Sequence, residues 1–177
     1  MIHYDPPSLI EYDEILEVSI ARLEERLTQS GCRSELFECI MDEVFHFLDA
    51  EQGHIILLKK DGTLDIPASR LGLGRNYTPD EDPVSRSVLS VAIMGHRGII
   101  TNDALADPRF SASESVIQLN LHSIICAPLV TQGKMIGAIY LETRAKTGQF
   151  SLRDLEILEA FSEYAAKAIE KSNLINP

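Results

Sequence analysis

The residues best equipped for metal or nucleophilic chemistry are five histidines and three cysteines, and their spacing argues against both roles. His3, His46, His54, His96 and His122 include no pair one helical turn apart, and Cys32, Cys39 and Cys126 form no Cys-x-x-Cys. No metal site and no catalytic set is expected. His122 and Cys126 fall on one face of a stretch that reads as a strand, so they could meet in a pocket. The ordinary role of such a cysteine is that of a small buried hydrophobe. The chain shows no phosphate loop, nucleophile elbow or kinase signature, and Gly72-x-Gly74 lacks the third glycine of a dinucleotide fingerprint. What remains is a group of polar and aromatic residues gathered in 101–121. Phe110 can stack on or cover a ligand. Ser113 and Ser115 offer hydroxyls or cap a short helix. Asn102, Asp103 and Glu114 complete the polar set, the first two doubling as turn formers. Arg70 and Arg86 are candidate anion partners. With His122 and Cys126, these ten residues are the expected small-molecule site.

Two strands follow that segment, His122–Val130 and Lys134–Thr143, joined by Thr131-Gln132-Gly133, where Gly133 supplies a positive φ. His122, Ile124 and Cys126 alternate with Ser123, Ile125 and Ala127; Ile136, Ala138 and Tyr140 alternate with Met135, Gly137, Ile139 and Leu141. Strands apolar on both faces belong inside a sheet covered on both sides. Upstream, residues 1–7 read as a flexible tail. Ser8 can cap a helix from Leu9 to about Ser30, stopped by Gly31. Its stripe of Leu16, Ile20, Leu23 and Leu27, extended by Leu9 and Tyr12, can pack on its own domain or pair with a second subunit, and the second role is the one expected. A second helix, about Arg33–Asp49, carries a wide apolar stripe that reads as core. The strand Gln52–Lys60, the turn Asp61-Gly62 and the strand Thr63–Leu71 follow, the last interrupted by Pro67 and so placed at an edge or a bulge. Residues 72–83 read as a mobile loop. Asp82-Pro83 is expected to start a helix with Val84, Val88 and Val91 on one face, ending at Gly95. A short strand Gly98–Thr101 leads to the segment 101–121. Ser151-x-x-Asp154 resembles a capping box opening the last helix, which runs to about Leu174 with Leu155, Leu158, Phe161, Ala165, Ala168 and Ile169 inward.

The bulk numbers set limits on partners. A chain of 177 residues with 45% apolar content suggests one domain with one good core. A formal net charge of −11 argues against nucleic acid and against anionic membrane. The longest uninterrupted apolar run, Ile124–Val130, is far short of a membrane span, and no signal peptide is visible. Three widely spaced cysteines do not suggest a disulfide framework, so a cytoplasmic protein with reduced thiols is expected.

Four phrases carry a family resemblance: Ala106-Asp107-Pro108-Arg109-Phe110, Ser113-x-Ser115-Val116, His122-Ser123-Ile124-Ile125-Cys126-Ala127-Pro128-Leu129, and Gly137-x-Ile139-Tyr140-Leu141-Glu142. They resemble a GAF domain, the small-molecule-sensing module of signalling proteins, over about residues 8–175. The resemblance implies an α/β (α+β) three-layer sandwich: a central antiparallel sheet of five or six strands, with the end helices (8–30 and 151–175) and the second helix on one face and the helix 83–94 with segment 101–121 on the other. It implies a non-catalytic sensory domain that binds a small molecule and relays its state through the end helices to an output module, as a homodimer. Activators with AAA+ domains, nucleotide cyclases, phosphatases and histidine kinases are the contexts in which similar domains sit. The identity of ligand or cofactor is left unknown. Cyclic-nucleotide GAF domains are similar in an Asn-Lys…Phe-x-x-x-Asp-Glu pattern, which here reads Asn102-Asp103…Phe110…Glu114-Ser115 and lacks the lysine. Bilin GAF domains are similar in a Cys-His pair, which here reads Leu121-His122. Haem through one histidine would fall to His54 or His122. Two alternatives stand beside the sensor: a dimerisation module whose pocket is filled by Phe110, and a thiol enzyme similar to free methionine-R-sulfoxide reductase. The latter family's cysteine loop corresponds to Ile93-Met94-Gly95-His96-Arg97, which has no cysteine.

Overall fold

The computed structural model describes residues 9–29, 33–72 and 84–175. The expected tail, the Ser8 cap, the Gly31 stop, Cys32, the Asp82-Pro83 helix start and nearly all of the 72–83 loop lie outside the described residues. Five helices and five strands are described. They run in the order α1 (Leu9–Gln29), α2 (Arg33–Phe47), β1 (Gln52–Leu58), β2 (Leu64–Leu71), α3 (Arg86–Gly95), β3 (Ile99–Thr101), α4 (Glu114–Gln118), β4 (Ser123–Thr131), β5 (Lys134–Thr143) and α5 (Leu152–Ile175). The strands form one antiparallel sheet in the order β2-β1-β5-β4-β3. This five-stranded antiparallel sheet with helices on both faces is the architecture that the family resemblance implied.

Two apolar cores follow from strands that are apolar on both sides. On one face Ile55, Ile125, Ala127, Ile139 and Leu141 pack with α1, α2 and α5 through Leu23, Leu36, Ile40, Val44, Leu158 and Phe161. On the other, Ile56, Ile124, Cys126, Ala138 and Tyr140 pack with Val88, Leu89 and Ala92 of α3 and with Ala104, Phe110, Val116 and Leu121 of segment 101–121. Gly137 lets β5 approach β1: a Cβ there would stand 1.9 Å from the Ile56 carbonyl oxygen.

Several local expectations shift. Ile136 does not share a face with Ala138 and Tyr140. The β4–β5 register slips between Leu129 and Val130, and Ile136 turns to the opposite core. The tight turn is Gln132-Gly133, with both residues at positive φ (50° and 74°). The β1–β2 register slips between Ile55 and Leu57, opposite Pro67, which has no N–H to give the ladder. α3 starts after Ser85, and the residue in the left-handed conformation at its end is His96 (φ 50°), one position beyond Gly95. Val91 is partly exposed; the buried positions of α3 are Val88, Leu89 and Ala92. The capping box of α5 forms in full: Ser151 N–H donates to Asp154 Oδ2 at 2.7 Å, and Asp154 N–H donates to Ser151 Oγ at 3.1 Å.

Candidate functional site

The polar groups converge on the face covered by α3 and segment 101–121. Period-two alternation puts His54, Tyr140, Glu142 and Cys126 on that face, and pairing sets His54 opposite Tyr140, Gln52 opposite Glu142 and Cys126 opposite Tyr140. All four side chains on this face are buried. The Ser85 backbone N–H donates to the Tyr140 hydroxyl at 3.4 Å, and that hydroxyl donates to Glu142 Oε2 at 3.0 Å. Arg144 Nε donates to Glu142 Oε1 at 3.0 Å, and the Arg144 backbone N–H donates to Glu51 Oε2 at 2.8 Å. His54 bonds Ser69 Oγ through Nδ1 at 2.8 Å and Gln52 Nε2 through its other ring nitrogen at 2.9 Å.

Burial sets the protonation of this group. It pushes Glu142 up to about 7, against the pull of the Arg144 charge and of the Arg144 and Tyr140 hydrogen bonds. It pushes His54 down to about 4, helped by the Arg144 charge, so the ring is neutral. Burial and the nearby Glu142 carboxylate raise Tyr140 well above its usual value. Burial alone carries Cys126 to about 12, which leaves a protonated, unreactive thiol.

Above this floor the starts of α3 and α4 meet. Ser85, Ser87, Ser113 and Ser115 close a ring of hydroxyls: 2.9 Å between Ser85 and Ser87, 2.7 Å between Ser87 and Ser113, and 3.0 Å both between Ser113 and Ser115 and between Ser115 and Ser85. Among the expected site residues, Ser113, Ser115, Phe110 and Cys126 are therefore brought together around one covered face. Phe110 is 1% exposed and fills part of it, with the Arg109 guanidinium 4.9 Å above its ring. Arg109 in turn holds Asp107, pulling that carboxyl down to about 2.

Others of the set do different work. Arg70 stands on the opposite face. Its guanidinium is paired with Asp42 and, at 2.7 Å, with Glu38, both on α2. β2 residues of Arg70's parity, such as Ala68, point to the α2 core, so Arg70 lies away from the covered face. Asp103 is a turn former whose Oδ1 accepts from the Ala106 N–H at 3.3 Å, and Asn102 gives its carbonyl to Ser123 Oγ and Gly148 N–H. Glu114 is exposed and accepts from Gln118 Nε2 at 2.9 Å. Arg86 is exposed on the first turn of α3. His122 is half-buried, with Nδ1 lacking a hydrogen-bond partner among the described residues. No group of three or more His, Cys, Asp and Glu residues able to hold a metal occurs among the described residues. Of the α1 stripe, Leu23 is wholly buried in the chain's own core and Leu16 and Ile20 pack against it; the side chain of Leu27 lies outside the described residues.

Sequence reading passed over Tyr140, Glu142, Ser85 and Ser87 as candidate site residues. The signal was present: Tyr140 and Glu142 share the parity of Ala138, and Ser-x-Ser occurs at the start of both short helices.

The GAF domain family model matches residues 33–169. The chain belongs to the GAF domain family. Hybrid signal transduction histidine kinase G of Dictyostelium discoideum is 38% identical over 76 residues, 43% of this chain and 2% of that protein. The chain thus spans a very small part of that curated relative. Free methionine-R-sulfoxide reductase from Neisseria meningitidis, solved with its substrate, matches with a TM-score of 0.70 at 18% identity, over 99% of this chain and 98% of that one. The GAF domain of a phosphoenolpyruvate-protein phosphotransferase from Coxiella burnetii matches with a TM-score of 0.68 at 12% identity, over 90% and 95%. At these identities the structural likeness is one of fold. No helix among the described residues of this GAF domain is long and apolar enough to cross a membrane.

Proposed function

We propose that this GAF domain is a non-catalytic, cytoplasmic sensor. It binds a small molecule between the sheet and the α3–101–121 cover and passes its state through α1 and α5 to an output module, as a homodimer. One observation carries the reading: a buried polar line, Ser85–Tyr140–Glu142, ending on the half-buried Arg144, lies under a cover built from short helices and loop. A domain built only for stability has little use for a wholly buried carboxylate. Its strand end leads directly into the loop that enters α5, so a change at Glu142 has a short route to an end helix. The similarity to a segment of a histidine kinase supports a signalling context.

A thiol-enzyme reading finds no support in Cys126, which is buried and held protonated, nor in Cys39, which is buried on α2. The dimerisation-module reading is favoured by one observation, the near-complete burial of Phe110 in the covered face. Thermal-shift titration of the purified domain with a panel of small polar metabolites separates the two. The sensor reading expects at least one compound to raise the melting temperature saturably, and Glu142→Gln to weaken that response. No response from any compound, with a cooperative melt throughout, sinks it.

A further inference from the structure

Resting on the sensor reading, and saying how its cover opens, we propose that the α3–α4 seam is a two-state hydroxyl latch. In the closed state the four serines bond across the seam. In the open state the two leading serines turn back to cap their own helices, and segment 101–121 is released from α3.

Each helix begins with a Ser-x-Ser pattern, Ser85-Arg86-Ser87 and Ser113-Glu114-Ser115, with the first serine at the N-cap. A serine there ordinarily accepts from the N–H groups of its own first turn. Neither does so: both N-caps lack a side-chain cap hydrogen bond, and both hydroxyls are turned into the ring instead. Yet the backbone is already set for capping. Ser85 lies at φ −73°, ψ 111° and Ser113 at φ −76°, ψ 122°, the extended conformation from which a serine caps. Side-chain rotation alone therefore exchanges one set of hydrogen bonds for another, with no change of backbone at either helix start. On turning back, each leading serine exchanges its two ring bonds for one cap bond and contact with water, so the closed state holds only a small net advantage that a ligand or a substitution can tip.

The first turn of α3 is also poorly complemented. It carries no acidic residue, and its first position is Arg86, a cation at the positive end of the helix. That start gains from recovering its cap. The latch is mechanically connected on both sides. The Ser113 N–H donates to the Phe110 carbonyl at 2.8 Å, tying the ring to the aromatic that fills the covered face. The Ser85 N–H reaches the Tyr140 hydroxyl and through it Glu142. A small polar ligand whose hydrogen-bonding group competes for the ring shifts the balance toward the open state.

Amide hydrogen exchange, followed by NMR on the whole unliganded chain, tests this with Ser87→Ala. Ser87 is a ring member and not a cap, so its loss weakens only the closed state. Of the two ring bonds Ser87 makes, only that to Ser113 crosses the seam, and amides of residues 110–119 should then exchange faster by roughly five-fold, the population change that one lost bond of cap strength produces. Amides in the first turn of α3 should slow as Ser85 recovers its cap, and Ser87→Thr should behave as the native chain. Ser115→Ala provides the same test from the other helix, with slowing in the first turn of α4. Unchanged exchange over 110–119, or faster exchange at 110–119 and the α3 first turn together, would mark the ring as static packing and overturn the latch. The test needs no ligand. A domain that binds no small molecule still shows the opposed changes if the latch is real, and a static ring leaves ligand binding untouched.

Discussion

Glu142 and His54 lie one strand apart on the same covered face, and their buried states respond to acid with opposite sign. Glu142 binds its proton more readily folded than unfolded: about 7 against 4.5. Its contribution is fully present below the unfolded value and is lost as pH rises toward about 7, an effect of ~3 kcal/mol at most. His54 binds its proton less readily folded, about 4 against 6.5, so its contribution is lost as pH falls through that range. Between about 4.5 and 6.5 the two slopes oppose each other. Chemical denaturation of Glu142→Gln across this range should uncover the histidine slope, with stability falling more steeply on acidification than in the native chain. A parallel profile in both proteins would refute the assignment of Glu142. Phe110→Ala should cost about 3–5 kcal/mol by the same measurement, because a wholly buried aromatic leaves a cavity that this cover cannot fully close. Cys126 should resist alkylation in the native protein even at mildly alkaline pH, since burial keeps its proton in place.

At the scale of elements, the strands were legible because both of their faces are apolar, and the capping box at Ser151 and Asp154 was legible because its chemistry is local. Asp154→Ala should lower stability by ~1 kcal/mol through loss of that reciprocal cap, read as a lower denaturation midpoint with an unchanged slope. The errors came from long-range pairing. Ile136 changes face at a register slip that no window of sequence announces. Arg70 reads as a free cation in a strand, yet its partners are Asp42 and Glu38, 28 and 32 residues away. The same Asp42 also accepts from Arg26 of α1 at 2.9 Å, so one carboxylate ties α1, α2 and β2 together. A double-mutant cycle between Arg26 and Arg70 should show coupling of about 0.5–1 kcal/mol, modest because all three groups are partly solvated. The hydroxyl ring escaped notice for a similar reason: each Ser-x-Ser looks like an ordinary helix start until the two are seen in contact.

For the whole molecule, strands apolar on both faces called for a covered sheet and the family resemblance implied the sandwich, while the proposed small-molecule site was only partly visible. Its loop residues, Phe110, Ser113 and Ser115, stood out by position. Its strand residues, Tyr140 and Glu142, were hidden in an apolar run whose register decides what they face. The end helices carry the proposed dimer, and here the structure redirects the choice of probe. Leu23 is consumed by the chain's own core and Leu16 packs against it, so their substitution would unsettle the fold itself. Val18 on α1 is 46% exposed and is the cleaner test. Val18→Asp should shift the domain toward monomer in sedimentation velocity while leaving its denaturation curve within about 0.5 kcal/mol of the native one. The sensing claim itself is tested most directly by native mass spectrometry of the purified chain, equilibrated with a small-metabolite extract at neutral pH. The account predicts one discrete added mass, retained on the folded protein and saturating with extract concentration. A folded protein that stays at its bare mass over the whole concentration range would contradict it.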